Sequence, residues 1–192
     1  MSIPLYRRVL GATFDVLPAR VRELHDLRGP AVWWGEASVE RGRSPLSRLA
    51  AALTGLPPAG ADQPLRVTFE PVGAREIWSR RFGRMLFCSI QYERDGFLAE
   101  RVGPATFVFT AVASTEGLAL RLEGFKVLGI PLPRSLHPTV CTFERERGGR
   151  YEFEVEAHLP FLGLLVRYGG WLEPQPGAAG GLPAFVSPPP LV

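Results

Sequence analysis

Lysine is almost missing from this 192-residue chain: of its 22 basic residues only Lys126 is not arginine. The arginines are scattered and interleaved with 19 acidic residues, which leaves a formal charge of +3 despite a pI near 9.2. A surface built for phosphates clusters its bases on one face, so this pattern argues against nucleic-acid binding. Cysteine is also scarce. Cys88 and Cys141 stand alone, and two isolated thiols imply no disulfide framework. Each sits in an apolar strand pattern, where free cysteine behaves as a small hydrophobe, so both are expected to be reduced and buried. Long apolar runs are absent too: no stretch approaches the ~20 residues of a membrane-spanning helix. The opening MSIPLYRRVLGATFD lacks the apolar centre of a signal peptide, and a cytoplasmic location is the expectation.

Recognisable reaction motifs are missing as well. There is no G-x-S-x-G, no P-loop and no G-x-G-x-x-G, and Gly169-Gly170 and Gly180-Gly181 lack the strand and helix context of a phosphate cradle. No cofactor is expected. His25, His137 and His158 are dispersed, and the spacing of His137 to Cys141 fits no metal signature, so no metal site is expected either.

What the sequence does contain is alternation. Tyr151 to Leu159 places Tyr151, Phe153, Val155 and Ala157 on one side and Glu152, Glu154 and Glu156 on the other, the period of a half-buried strand. After Leu159-Pro160, Leu162 to Leu172 gives a second strand and closes a hairpin. Similar patterns run through Leu65 to Pro71, Ala74 to Phe82, Arg84 to Glu93, Phe97 to Val102, Ala105 to Ala113, Leu118 to Leu128 and Thr139 to Arg147. With Ala31 to Gly42 they make about ten strands joined by short turns such as Asp95-Gly96 and Gly103-Pro104. Short connections make neighbours antiparallel. The fold class is therefore mainly β, a curved antiparallel sheet closing into a barrel or half-barrel.

Helices belong to the N-terminal third: Ile3 to Leu10 closed by Gly11, a second after Pro18 with Leu17, Val21 and Leu24 at helical spacing, and one inserted between strands. That insertion has Ser44 as N-cap, Pro45 at its first position, a stripe of Leu46, Leu49, Ala50 and Leu53, and Gly55 at its end. It reads as a plug or lid at one barrel end. Residues 1–173 form a single domain on this reading, and 174–192 a Pro- and Gly-rich tail, with loose packing already expected from Glu173.

Turn length fixes register. Across Asp95-Gly96, Gln91 faces Glu100; across Gly103-Pro104, Glu100 faces Phe107; across Ser114 to Gly117, Phe109 faces Leu122. One face then gathers Phe87, Leu98, Val102, Phe107, Phe109, Leu118, Leu120 and Leu122. Continuing the same parity sets Gly124 opposite Phe107 and Lys126 on the same side. For the Gly148-Gly149 hairpin, a bulged three-residue loop pairing Phe153 with Phe143 is favoured over a two-residue turn that would set Phe153 against Glu144. Ser89, Gln91, Glu100, Phe107, Phe109, Leu122, Gly124 and Lys126 emerge as candidate ligand-binding residues, an apolar cavity with one polar spot. A buried carboxylate there must be paired, hydrogen-bonded or protonated. Glu76, Arg80, Tyr92 and Arg101 with Trp78 fall on the opposite face, as an exposed ion-pair ladder.

Several stretches, LYRRVLGATFDVLPARVRELHD, GEASVERGRSPLSRLAAALTGLPPAG, ERVGPATFVF, LGIPLP and VRYGGWLEP, resemble the bacterial family known as domain of unknown function 4166, from about Leu5 to Pro174. The resemblance implies no reaction. It does imply an occasional association with saccharopine-dehydrogenase-like domains, hence an NAD(P)-dependent dehydrogenase-like partner, with no cofactor residues in this chain. The expected function is binding of a hydrophobic or lipid-like small molecule in a barrel cavity. Two alternatives stand beside it: an isomerase or hydrolase using Glu100 as general base, and an interaction domain for that partner.

Overall fold

The computed structural model describes residues 3–175. Ten strands, β1 (Ala31–Arg41), β2 (Gly60–Val72), β3 (Arg75–Phe82), β4 (Met85–Arg94), β5 (Phe97–Val102), β6 (Ala105–Ala113), β7 (Leu118–Val127), β9 (Thr139–Arg147), β10 (Arg150–Leu159) and β11 (Gly163–Pro174), close into a barrel. The two-residue β8 (Ile130–Pro131) hangs from β7. Every pairing is antiparallel; β7 passes to β9, and β11 returns to β1 to seal the ring. Closure removes the free edges that an open sheet would expose.

The β1–β11 seam depends on glycine. A Cβ on Gly35 would lie 1.8 Å from the Trp171 carbonyl oxygen, and one on Gly170 would lie 1.9 Å from that of Glu36. Only residues without a side chain allow this approach. Glu173 and Pro174 continue this seam opposite Trp34 and Trp33, so the last strand runs past the point where loose packing was expected. The remainder of the expected tail lies outside the described residues.

Because the strands alternate in direction, the barrel has two distinct ends. At one, α1 (Leu5–Leu10), a 3-10 turn (Gly11–Val16) and α2 (Ala19–His25) form a plug. Tyr6, Phe14, Leu17, Val21 and Leu24 are buried there and join the core formed by the barrel's inner face. Arg8 donates to the Ala74 carbonyl at the β2–β3 turn, and Arg20 to that of Gly149 at the β9–β10 turn, which pins the plug to the strand ends. At the other end lies α3 (Pro45–Leu53), capped by the Ser44 hydroxyl accepting from Ser47 N–H at 3.0 Å, with proline in its first turn. Its buried side is Ser47 and Ala51; Leu46, Leu49 and Leu53 face outward, the reverse of the expected packing. The cause is close approach: Gly42 lies against the Leu164 carbonyl and Ser47, a space that small residues fill and leucines cannot. Among the described residues, no helix is long and apolar enough to cross a membrane.

The expected pairings of Gln91 with Glu100, Glu100 with Phe107 and Phe109 with Leu122 are all present. Two others differ. Gly148 and Gly149 take φ of 59° and 78°, the left-handed pair a two-residue hairpin turn needs, so Phe153 faces Glu144 and not Phe143. A bulge in β7 then shifts parity: Phe109 pairs with Leu122 but Val108 with Gly124 and Phe107 with Phe125. Gly124 and Lys126 therefore leave the inner face, and Phe125 takes their place, 5.0 Å from the Phe107 ring. Cys88 and Cys141 are exposed, contrary to expectation. Cys88 alternates with inward Phe87 and Ser89 and so points outward beside Ser79.

Candidate functional site

A cavity of about 130 Å³ runs inside the barrel, well above the ~10–15 Å³ that admits a single water. Its walls are apolar, among them Leu65, Val67, Phe69, Phe107, Phe109 and Leu165, and they extend to Thr54 and Leu56 at the α3 end. Polar groups gather at the plugged end, which makes that end the floor and the α3 end the mouth.

The floor is assembled by strand pairing. Glu76 faces Gln91, Trp78 faces Ser89 and Arg80 faces Phe87, so all six share the inner surface. The expected exposed ladder is thus corrected: Arg80 is 9% and Glu76 7% exposed. The two-residue Gly83-Arg84 turn pairs Phe82 with Met85, and that parity carries β3's even-numbered residues inward.

Arg80 donates to the Ser89 hydroxyl at 2.9 Å and lies 3.5 Å from Glu100 Oε1. Its guanidinium sits 4.9 Å from the Trp78 ring centre and 5.4 Å from that of Phe87. The same Glu100 oxygen accepts from Gln91 Nε2 at 3.2 Å, and Gln91 Oε1 accepts from the Tyr6 hydroxyl at 3.0 Å. Glu100 is thereby paired and hydrogen-bonded, which a carboxylate at this depth requires. On the opposite wall Glu144 Oε2 lies 2.5 Å from His25 Nε2. The His25 ring forms a triangle with those of Tyr6, at 3.7 Å and tilted, and Trp78, at 5.8 Å and stacked; Tyr6 and Trp78 are themselves 6.4 Å apart. Its Nδ1 is buried without a partner among the described residues.

Burial, reinforced by the Glu144 charge, pushes the Tyr6 and Tyr151 hydroxyls well above their ordinary pKa, and burial raises Tyr168 to about 12. All three are held as neutral phenols facing or flanking the cavity. Glu76 is also raised, chiefly by desolvation and despite the bond it accepts from Trp78 Nε1 at 3.1 Å. Among the described residues, no three His, Cys, Asp or Glu side chains converge as a metal site.

Of the residues expected from the sequence, Gln91, Glu100, Phe107 and Phe109 line the cavity. Ser89 stands behind Arg80, and Leu122 packs on the core without reaching the cavity. Gly124 lies against Val108, and Lys126 pairs with Thr106 on the outer face; neither lines the cavity. Tyr6, Arg80, Glu144, Tyr151 and Tyr168 do line it and were not among the residues expected there. Turn parity was the available signal for Arg80 and Glu144. Nothing local marks Tyr6, which arrives from a helix.

Against known families, a model described as Domain of unknown function (DUF4166) matches residues 17–172. No curated protein matches, and no solved structure matches.

Proposed function

The chain belongs to the family described as Domain of unknown function (DUF4166), a description that carries no reaction, and we propose from the cavity that it binds a hydrophobic small molecule with one polar, uncharged head. The observation that carries this reading is the division of the cavity into apolar walls and a polar floor. Pockets of this kind use a few polar groups to orient a mostly apolar ligand. The head is uncharged because Arg80, the cation lining the cavity, is already matched by Glu100, so an acidic head would enter without a counter-charge.

Nile red uptake, followed by displacement with long-chain alcohols and the matching acids, tests the reading. Ala157 is buried on the cavity wall, and Ala157→Phe should abolish uptake while overpacking costs about 1–3 kcal/mol. Phe107→Ala should weaken uptake more than folding. Alcohols should displace the dye better than acids. No uptake by the wild type, or equal uptake by the filled variant, sinks the proposal.

One observation favours an enzyme acting on such a molecule: Glu100 reaches the cavity while held by Gln91 and Arg80, the posture of an oriented general base. Turnover lost in Glu100→Gln with dye binding retained supports it, and turnover unchanged removes it.

A further inference from the structure

The mouth carries two features that the cavity reading does not use. Large apolar side chains stand exposed there: Phe161 at 93%, Leu128 at 78%, Leu53 at 65%, Ile130 at 64%, and Leu46 and Leu49 at 55% each. They come from three separate segments: α3, the β7–β9 connection and the β10–β11 turn. Backbone contacts bring these together. The Leu128 amide bonds the Pro104 carbonyl, Gly103 in the same turn lies against Leu53 and Thr54 of α3, and the Gly42 amide bonds Leu165 of β11. Phe161 projects from its turn at φ 64°, a left-handed conformation unusual for a bulky residue.

The connections at this end carry charge of one sign; the nearest exposed acids, Glu40 and Asp62, lie within the strands, Glu40 paired with Arg167. Segments 42–59, 83–84, 103–104, 128–138 and 160–162 contain Arg43, Arg48, Arg84 and Arg134 and no acidic residue. Among the described residues, none of these four guanidinium groups is in an ion pair. The plugged end differs in carrying acids beside its arginines: Arg7 pairs with Asp15 and Asp26, Arg20 with Glu23 and Arg150 with Glu173, while Arg22, Arg28, Arg75 and Arg147 are in no ion pair among the described residues.

We infer that the mouth docks on an anionic membrane surface, with Phe161 and the α3 leucines entering the interface and the four arginines resting on lipid headgroups. Apolar anchors ringed by unpaired cations are what such a surface selects. A second protein would also cover apolar side chains, yet four cations in connections that hold no acid fit a uniformly negative plane better than a mixed protein face. Docking would set the cavity opening against the bilayer, so a lipid-like ligand could pass without crossing water; that consequence rests on the proposed function, while the docking itself does not.

Flotation of the whole protein with phosphatidylcholine vesicles, with and without phosphatidylserine, tests this. Binding is expected only with the anionic lipid and should fall at high salt, since the attraction is screened. Each Arg→Gln change at 43, 48, 84 or 134 should weaken it about 5-fold, at ~1 kcal/mol per cation near the surface. Phe161→Asp should remove most of it, and all five positions are exposed, so their melting curves should match the wild type. Arg7→Gln and Arg20→Gln at the plugged end should leave it unchanged. Ala157→Phe should keep vesicle binding while losing dye, which separates failure of this inference from failure of the cavity reading. No flotation with anionic vesicles overturns the inference. So do equal binding to neutral vesicles, equal losses from the plugged-end variants, or self-association abolished by Phe161→Asp in place of vesicle binding.

Discussion

At the plugged end of the barrel, residues Leu5 to His25 fill the opening with buried aromatic and aliphatic side chains; at the mouth, α3 turns its leucines to solvent, and its one arginine, Arg48, is in no ion pair among the described residues. Both ends are helical caps on the same ten strands, so architecture alone does not separate them. The difference lies in side-chain size at the contact. Leu10, Phe14, Leu17, Val21 and Leu24 can enter an open barrel end, whereas Ser47 and Ala51 only rest on a closed hairpin. Stability is therefore concentrated at one end and an uncovered apolar surface at the other.

The strongest way to break this contrast is alkali. Tyr6, Tyr151 and Tyr168, three of the four tyrosines, have folded pKa values above the unfolded value of ~10. Their contribution to stability is fully present below pH 10 and is lost as pH rises toward the folded values. Each removes about 1.4 kcal/mol per pH unit in that window, and together they should unfold a domain whose net stability is ~5–15 kcal/mol. Phenolate absorbance should then rise in one step with the loss of circular dichroism. Gradual ionisation of these tyrosines in a folded protein would contradict their burial.

Next in size, Phe14→Ala in the plug should cost about 3–5 kcal/mol in urea unfolding, since Phe14 is fully buried. His25→Ala should cost about 1–3 kcal/mol by removing the buried bond to Glu144, which keeps its bond to Tyr151, and Glu144→Gln added to it should recover part of the loss. A loss under 1 kcal/mol with no recovery would mean the pair is not what ties the plug to β9. The smallest effect belongs to the mouth: Phe161→Ala should change stability by less than about 0.5 kcal/mol. Equal losses at Phe14 and Phe161 would erase the contrast between the ends.

Much of the wall was legible beforehand because alternation is a local property. The strand positions, three registers and the inward placement of Ser89, Gln91 and Glu100 all follow from period and turn length. Two of the errors share one cause, which is parity followed in some turns and not in others. Inward Phe87 already requires outward Cys88, and the two-residue Gly83-Arg84 turn already requires inward Arg80. The β7 bulge differs in kind: one extra residue between Leu122 and Gly124 leaves no strong local mark, yet it exchanges Lys126 for Phe125 on the inner face. Likewise Phe153 opposite Glu144 looked wrong only because nothing near it in sequence could receive the carboxylate.

Sequence by itself determined the strand wall, the N-cap of α3 and the turns at Asp95-Gly96 and Gly103-Pro104, since each depends on the identities of residues a few positions apart. Only the tertiary structure decided which buried polar groups are satisfied. Tyr6 meets Gln91 across 85 positions of chain, and His25 meets Glu144 across 119. A buried carboxylate or amide is tolerable only when such a partner arrives, and its arrival depends on closing the ring and seating the plug, not on any pattern near the residue itself.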